Sequence, residues 1–290
     1  MSRQSAPDSS PPETRRDVVT ETLHGVDIED PYRWLEGDDE AVDEWVDAQN
    51  AHVDETLDDA LRDRLRPRFE DLVEVADYGP ITVREDRYFA TVREPGADHA
   101  RLLVRDAPDG DDRVLVDPNA WAANRDGDGP PRSMAWYVPS HDGERVAVGV
   151  TEGGDENYDV RVLSVPDPSE PADSAGAESD SDSDAAAGYG AGVEEVAVLP
   201  ERGRVNAGSL AWAADGEGFV YVATGGAADG AQMDKEVRRF RLADGPDDET
   251  VLLEHDDQHV WPRVTVDPDS GLLAVAFSEM VGGTEWYVHV

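Results

Sequence analysis

Apolar residues recur every three or four positions along 42–65: Val42, Trp45, Val46, Val53, Leu57, Leu61 and Leu65, with Gln49 on the same stripe. This spacing predicts an amphipathic helix. Asp38 or Asp39 can cap its start, and the acids that follow suit the positive end of the helix dipole. Pro67 breaks the run and is expected to open a second short helix carrying Phe69, Leu72 and Val73. After Tyr78-Gly79-Pro80 the apolar period changes to two. Alternating runs at 88–92, 101–104, 145–150, 158–163, 218–222, 237–242, 272–277 and 285–290 predict strands bounded by Asp-Gly, Gly-Gly and Pro turns.

The strand pattern itself repeats. An Asp-centred turn precedes an apolar strand in SHDGERVAVGV (140–150), WAADGEGFVYV (212–222) and VDPDSGLLAVAF (266–277). A four-stranded unit recurring at roughly 50 residues predicts β-propeller blades. The chain holds about three whole blades and the start of a fourth. A sandwich of hairpins is the alternative, but the shared register of the Asp turn favours blades. The Ser/Pro-rich stretch 1–17 and the insertion 166–195, with its ESDSDSDAAAGYGAG run, have too few apolar residues to build a core. The organisation read from sequence is a disordered N-terminus (1–17), a helical segment (18–77) and a partial propeller (78–290) with a disordered insertion (166–195).

Charge changes the picture next. The chain carries 66 acidic against 25 basic residues, a formal charge of −41, and its only lysine is Lys235. Such an excess repels itself at ordinary ionic strength, whereas at about 1 M salt the screening length falls to about 3 Å. The acids are spread through every predicted element, which predicts adaptation to a salt-filled cytoplasm. No basic stripe is present to neutralise phosphates, which argues against nucleic-acid binding. The absence of cysteine excludes disulfides and thiolate chemistry. Residues 1–17 lack the apolar run of a signal peptide, and the longest apolar stretch, near 272–277, is too short to cross a bilayer. A soluble, cytoplasmic protein without membrane contact is expected.

The segment Thr20 to Asn50 carries the most information. Asp30-Pro31-Tyr32-Arg33-Trp34-Leu35-Glu36 lies at its centre, and Trp45 with Gln49-Asn50 follows at helical spacing. This segment resembles the N-terminal part of prolyl oligopeptidases, a family of serine peptidases. Val114-Leu115-Val116-Asp117-Pro118-Asn119 resembles the strand-and-turn motif after that family's first blade. The stretch from Ala211 to Tyr221 is similar to its later-blade pattern of Trp, Asp-Gly and Tyr. Oligopeptidase B enzymes, which cut after basic residues, share a similar Pro-Tyr-Arg-Trp-Leu; the Trp45–Asn50 helix and the Asp-Pro-Asn turn tilt the resemblance towards the prolyl type.

The resemblance implies a mainly β fold: an N-terminal helical segment, then an incomplete seven-bladed β-propeller, with the family's α/β-hydrolase domain absent from this chain. It implies hydrolysis of short peptides after proline by a Ser-Asp-His triad in that missing domain, with the propeller limiting substrate size. The helical segment would pack on the hydrolase; burying Trp45 and Val46 there contributes about 1.5–3 kcal/mol each. No Gly-x-Ser-x-Gly elbow occurs in the chain. No catalytic residue is therefore assigned, the chain is expected to be inactive alone, and no pocket residue or cofactor is named. The rival reading is a stand-alone small propeller acting as a binding module.

Other motifs carry less. His255 and His259 stand four apart, a zinc-like spacing on a helix, but the flanking strand and Val260-Trp261-Pro262 argue against one. Asn124 to Gly129 resembles the start of a calcium loop, yet its twelfth position is Ala135 rather than Glu. Gly188-Tyr189-Gly190-Ala191-Gly192 lacks the preceding strand of a nucleotide motif. Glu40, Asp43, Glu44 and Asp47 read as a solvated helix face rather than an acid–base pair. No metal site is assigned.

Overall fold

The computed structural model describes residues 10–37, 39–57, 59–123, 130–167, 188–224, 235–255, 259–279 and 284–289, and divides into two units, 1–73 and 74–290. In the first unit β1 (Val19–Leu23) and β2 (Val26–Asp30) form an antiparallel hairpin. Its turn residues, His24 and Gly25, both have positive φ (52° and 81°), the turn whose twist matches that of paired strands. The stretch 18–77 thus opens with strands before its helices begin.

A 3-10 turn, Arg33–Glu36, then leads to α1 (Glu40–Thr56) and α2 (Asp59–Val73). Asp39 is the cap of α1; its carboxylate accepts from the N–H groups of Ala41 and Val42. The break between helices falls at Leu57, whose backbone is extended, and not at Pro67. Pro67 lies inside α2. A proline there removes one intrahelical hydrogen bond, and α2 is exposed along its length, so the freed carbonyl is open to water.

Residues 12–17 are not a free tail. Trp45 Nε1 donates to Thr14 Oγ1 (3.0 Å), Gln49 Nε2 to the Pro12 carbonyl (3.5 Å) and Trp34 Nε1 to the Arg15 carbonyl (3.0 Å). The Arg15 guanidinium lies 4.4 Å over the Trp34 ring. Two indole N–H groups and one carboxamide hold this low-complexity segment, which no count of apolar residues detects. Residues 1–9 of the expected disordered N-terminus lie outside the described residues.

The second unit is a series of antiparallel sheets. The first blade contains β3 (Asp77–Tyr78), β4 (Thr82–Arg84), β5 (Arg87–Arg93), β6 (Arg101–Arg105) and β7 (Arg113–Val116), followed by a short helix, α3 (Pro118–Ala123). The second contains β8 (Arg132–Pro139), β9 (Arg145–Glu152), β10 (Asp159–Ser164) and β11 (Glu195–Leu199). The third contains β12 (Leu210–Trp212), β13 (Gly218–Thr224), β14 (Lys235–Arg241) and β15 (Thr250–His255). The fourth shows β16 (Val260–Val266), β17 (Leu273–Glu279) and β18 (Thr284–His289).

Alternate residues of each strand serve different neighbours. Val146, Val148 and Val150 of β9 pack with Phe89, Leu102 and Leu115 of the first blade. Ala147 of β9 and Val160 and Val162 of β10 pack instead with Phe219, Tyr221 and Phe240 of the third. Val220 and Val222 face Val264, Val266 and Val275 of the fourth. The period of two therefore encodes stacking between blades, with both faces buried.

The Asp-centred turns join the first two strands of successive blades. Their glycines, Gly143, Gly216 and Gly271, all have φ near 70° (69°, 68° and 72°), a conformation that favours glycine. Arginines link turn to turn: Arg87 Nη1 donates to the Gly143 carbonyl (2.7 Å), and Arg145 Nη1 to that of Gly216 (3.2 Å).

The insertion is anchored at both described ends. Arg113 Nη1 donates to the Pro166 carbonyl (3.0 Å). Residues 188–190 add a rung to β7: Asp117 N–H donates to the Gly188 carbonyl (2.7 Å) and Gly190 N–H to that of Leu115 (3.1 Å). Tyr189 packs edge-on against Trp121. A Cβ at Gly188 or Gly190 would lie 1.9 Å from the Trp121 ring or 1.7 Å from the Val114 carbonyl. The expectation of disorder through residue 195 is thus corrected for 188–195, because two glycines let the backbone seat on the blade edge; 168–187 lie outside the described residues.

Gly149 offers a test of this packing, since a Cβ there would lie 2.1 Å from the Trp136 ring. Gly149→Ala should destabilise the chain by about 1–3 kcal/mol. Urea unfolding at fixed salt measures this, and an unchanged midpoint would place Trp136 elsewhere.

Candidate functional site

The Asp-Pro-Asn turn organises one edge of the first blade. Asn119 N–H donates to Asp117 Oδ1 (3.0 Å). The Asn119 side chain then accepts from His99 N–H (2.9 Å) and donates to the His99 carbonyl (3.0 Å). The loop between β5 and β6 is thereby tied to the exit from β7. In the second blade Asn157 Oδ1 accepts from Gly203 N–H (2.8 Å), and Tyr158 N–H donates to the Gly203 carbonyl (2.9 Å). In each of the first two blades a carboxamide holds the loops on the edge opposite the Asp turns.

Two charge networks lie between blades, the first partly exposed and the second buried. Between the first and second, Glu195 accepts from Tyr189 Oη (2.7 Å) and from Arg161 Nη1 (2.8 Å). Between the second and third, Tyr221 Oη donates to Glu249, which also pairs with Arg202 (3.0 Å) and Arg238 (3.3 Å). The Glu249 side chain is only 5% exposed. Burial pushes the Tyr221 hydroxyl well above the usual tyrosine range, and its hydrogen bond to Glu249 adds to the rise. Tyr189 is raised for the same two reasons, burial first.

These networks recur in register: Arg161 stands opposite Val148 and Arg238 opposite Tyr221, equivalent places in β10 and β14. Sequence reasoning missed them, although the signal is present as Asp159-Val-Arg161 and Glu236-Val-Arg238 in the two repeats. Lys235, the single lysine, is 1% exposed, its ammonium 4.5 Å from the centroid of the Trp261 ring. A desolvated cation over an indole is a favourable contact.

The motifs weighed from sequence separate cleanly. His255 ends β15 and lies against Phe277, with ring centroids 5.0 Å apart; 256–258, which precede His259, fall outside the described residues. Asn124 to Gly129 also fall outside them. The run at 188–192 docks on the first blade, as described. Glu40, Asp43, Glu44 and Asp47 are exposed on α1. Among the described residues no three His, Asp or Glu side chains are grouped as metal ligands. No helix among them is long and apolar enough to cross a membrane. The geometry holds loops and stacks blades; among the described residues it contains no nucleophile elbow.

Comparison with known proteins agrees with this architecture. Residues 11–289 match the family described as prolyl oligopeptidase, N-terminal beta-propeller domain. A prolyl endopeptidase of Elizabethkingia meningoseptica is 28% identical over 157 residues, 52% of this chain and 21% of that protein. A structure from a study of two prolyl endopeptidases and their inter-domain dynamics superposes with TM-score 0.72 at 26% identity, covering 96% of this chain and 38% of the other. Oligopeptidase B from Leishmania major superposes with TM-score 0.63 at 16% identity, covering 93% and 36%, a likeness of fold. The chain aligns with about a fifth of the curated relative and about two fifths of the solved chains.

The Tyr221 network gives a pH prediction. Its folded pKa lies above the ordinary value of 10.0, so the stability it contributes is full below pH 10 and lost as pH rises further. Unfolding free energy should fall more steeply above pH 10 in the native chain than in Tyr221→Phe. Glu249→Ala leaves Arg202 without its carboxylate and Arg238 with Glu236 alone, and should cost about 3 kcal/mol. Parallel slopes, or a neutral Glu249→Ala, would show that the network carries no stability.

Proposed function

Because the chain belongs to the prolyl oligopeptidase family and carries its N-terminal propeller domain, we propose that it is the propeller-bearing part of a serine peptidase acting on short peptides after proline. The match over residues 11–289 carries this reading, supported by a solved prolyl endopeptidase 26% identical over 96% of the chain. The catalytic triad is assigned to an α/β-hydrolase domain, since no Gly-x-Ser-x-Gly occurs in these residues. In this reading the stacked blades form a barrier that only short peptides pass.

The first unit supports the same division of labour. Val46 and Val53 of α1, Leu57 just after it, and Leu61, Phe69 and Leu72 of α2 are exposed, Phe69 and Leu72 each at 61%. So many exposed large apolar side chains on two helices are read as a docking face, here assigned to the hydrolase domain. The acid excess is read as adaptation to a salt-filled cytoplasm. The resemblance of Pro31-Tyr32-Arg33-Trp34-Leu35 to oligopeptidase B enzymes supports a second reading, cleavage after basic residues; the Leishmania major enzyme is similar in fold.

The test is a pair of assays with fluorogenic Gly-Pro and Gly-Arg peptides. The chain alone should release no fluorophore. Joined to a family α/β-hydrolase domain, it should cleave after proline and spare a folded protein substrate. Cleavage after arginine instead would favour the oligopeptidase B reading, and turnover by the chain alone would overturn the proposal.

A further inference from the structure

The junctions between blades are not alike. Arg87, Arg145 and Gly218 hold equivalent places, each facing the residue that closes the first hairpin of its blade. At the first two junctions the guanidinium fills the gap to the next turn. At the third, a Cβ on Gly218 would lie 2.2 Å from the Phe240 carbonyl, so no side chain fits. A cavity of about 200 Å³ remains between the turn 213–217 and Gly271.

Its walls are chemically divided. Val220, Leu252, Val266 and Leu273 supply an apolar floor. Arg239 and Arg241, at alternate positions of β14, line one side and are exposed. Side chains two apart on a strand point to the same face. Neither guanidinium has an ion-pair or hydrogen-bond partner among the described residues. In a chain with 66 acids and 25 basic residues, two adjacent open arginines are out of keeping with the carboxylate pairing seen elsewhere. Asp215 and Glu217, on the turn 213–217, add carboxylates to the same lining. Glu217 is already paired with Arg145 (3.2 Å), which leaves Asp215 as the carboxylate available to a cation.

We propose that this cavity binds a small zwitterion of amino-acid size. Its carboxylate would lie between Arg239 and Arg241, its ammonium beside Asp215, and its apolar side chain on the floor. A dianion would meet Asp215 and Glu217, and a simple cation would meet the arginines, so a ligand with both charges fits best. The inference stands whether or not the peptidase reading holds.

Titration calorimetry on the 290-residue chain with L-leucine, L-leucinamide and N-acetyl-L-leucine tests it, in about 1 M KCl, where only contacts within about 3 Å escape screening. Leucine should bind saturably. Each analogue lacks one charge and should bind at least about tenfold more weakly. The double variant Arg239→Gln/Arg241→Gln should lose leucine to a similar degree while keeping its circular dichroism and melting temperature, since both side chains are exposed. No saturable leucine binding, equal binding of N-acetyl-leucine or leucinamide, or undiminished binding by the double variant would each overturn the proposal.

Discussion

Two-sided burial is the constraint on which this structure depends. Each blade is a thin sheet whose strands send alternate residues to the blade before and the blade after. Val146 and Ala147 are neighbours in sequence, yet they belong to different inter-blade clusters. A blade is therefore covered only when flanked. The first blade shows the consequence on its outward side, where Tyr88, Ala90, Val92 and Leu103 line a cavity of about 230 Å³ with Tyr78 and Ile81. The equivalent positions of the second and third blades are closed by the preceding blade.

Polar groups make that stacking specific. An apolar sheet face can slide against another with little loss, whereas a guanidinium aimed at one carbonyl cannot. Arg87 and Arg145 set the spacing of the Asp turns, and the Trp212 indole, donating to the Val138 carbonyl at 2.9 Å, does the same between the first strands of the second and third blades. The Tyr–Glu–Arg networks join later strands of the blades. A buried carboxylate shared by two arginines has a large desolvation cost and is stable only when every partner is present. Carboxylates far outnumber arginines in this chain, and most described arginines lie against a carboxylate or a carbonyl.

Much of the fold was legible from period and turn chemistry. Strands buried on both faces, such as β9 and β13, stood out as apolar runs, and the Asp-Gly turns fixed their register. Outer strands such as β15 did not stand out, because their exposed faces carry polar residues and the apolar signal is halved. The β1–β2 hairpin was hidden for the same reason: both strands are exposed. Pro67 misled because a proline usually bounds a helix, and nothing in the local sequence shows that α2 began eight residues earlier. The Tyr–Glu–Arg networks were written in the sequence only as a repeat of a repeat, visible once two blades are laid in register. The Asp-Pro-Asn motif was recognisable, but its job, tying one loop to a strand end, depends on a backbone partner twenty residues away.

Lys235 has a practical consequence. Amine chemistry on this polypeptide has a single side-chain target, and that target is shut between two blades beneath an indole. Reagents that acylate amines would leave the folded interior untouched and mark Lys235 only when the third and fourth blades part. The chain thus carries its own built-in gauge of breathing at that seam, readable by mass spectrometry without introducing a label site.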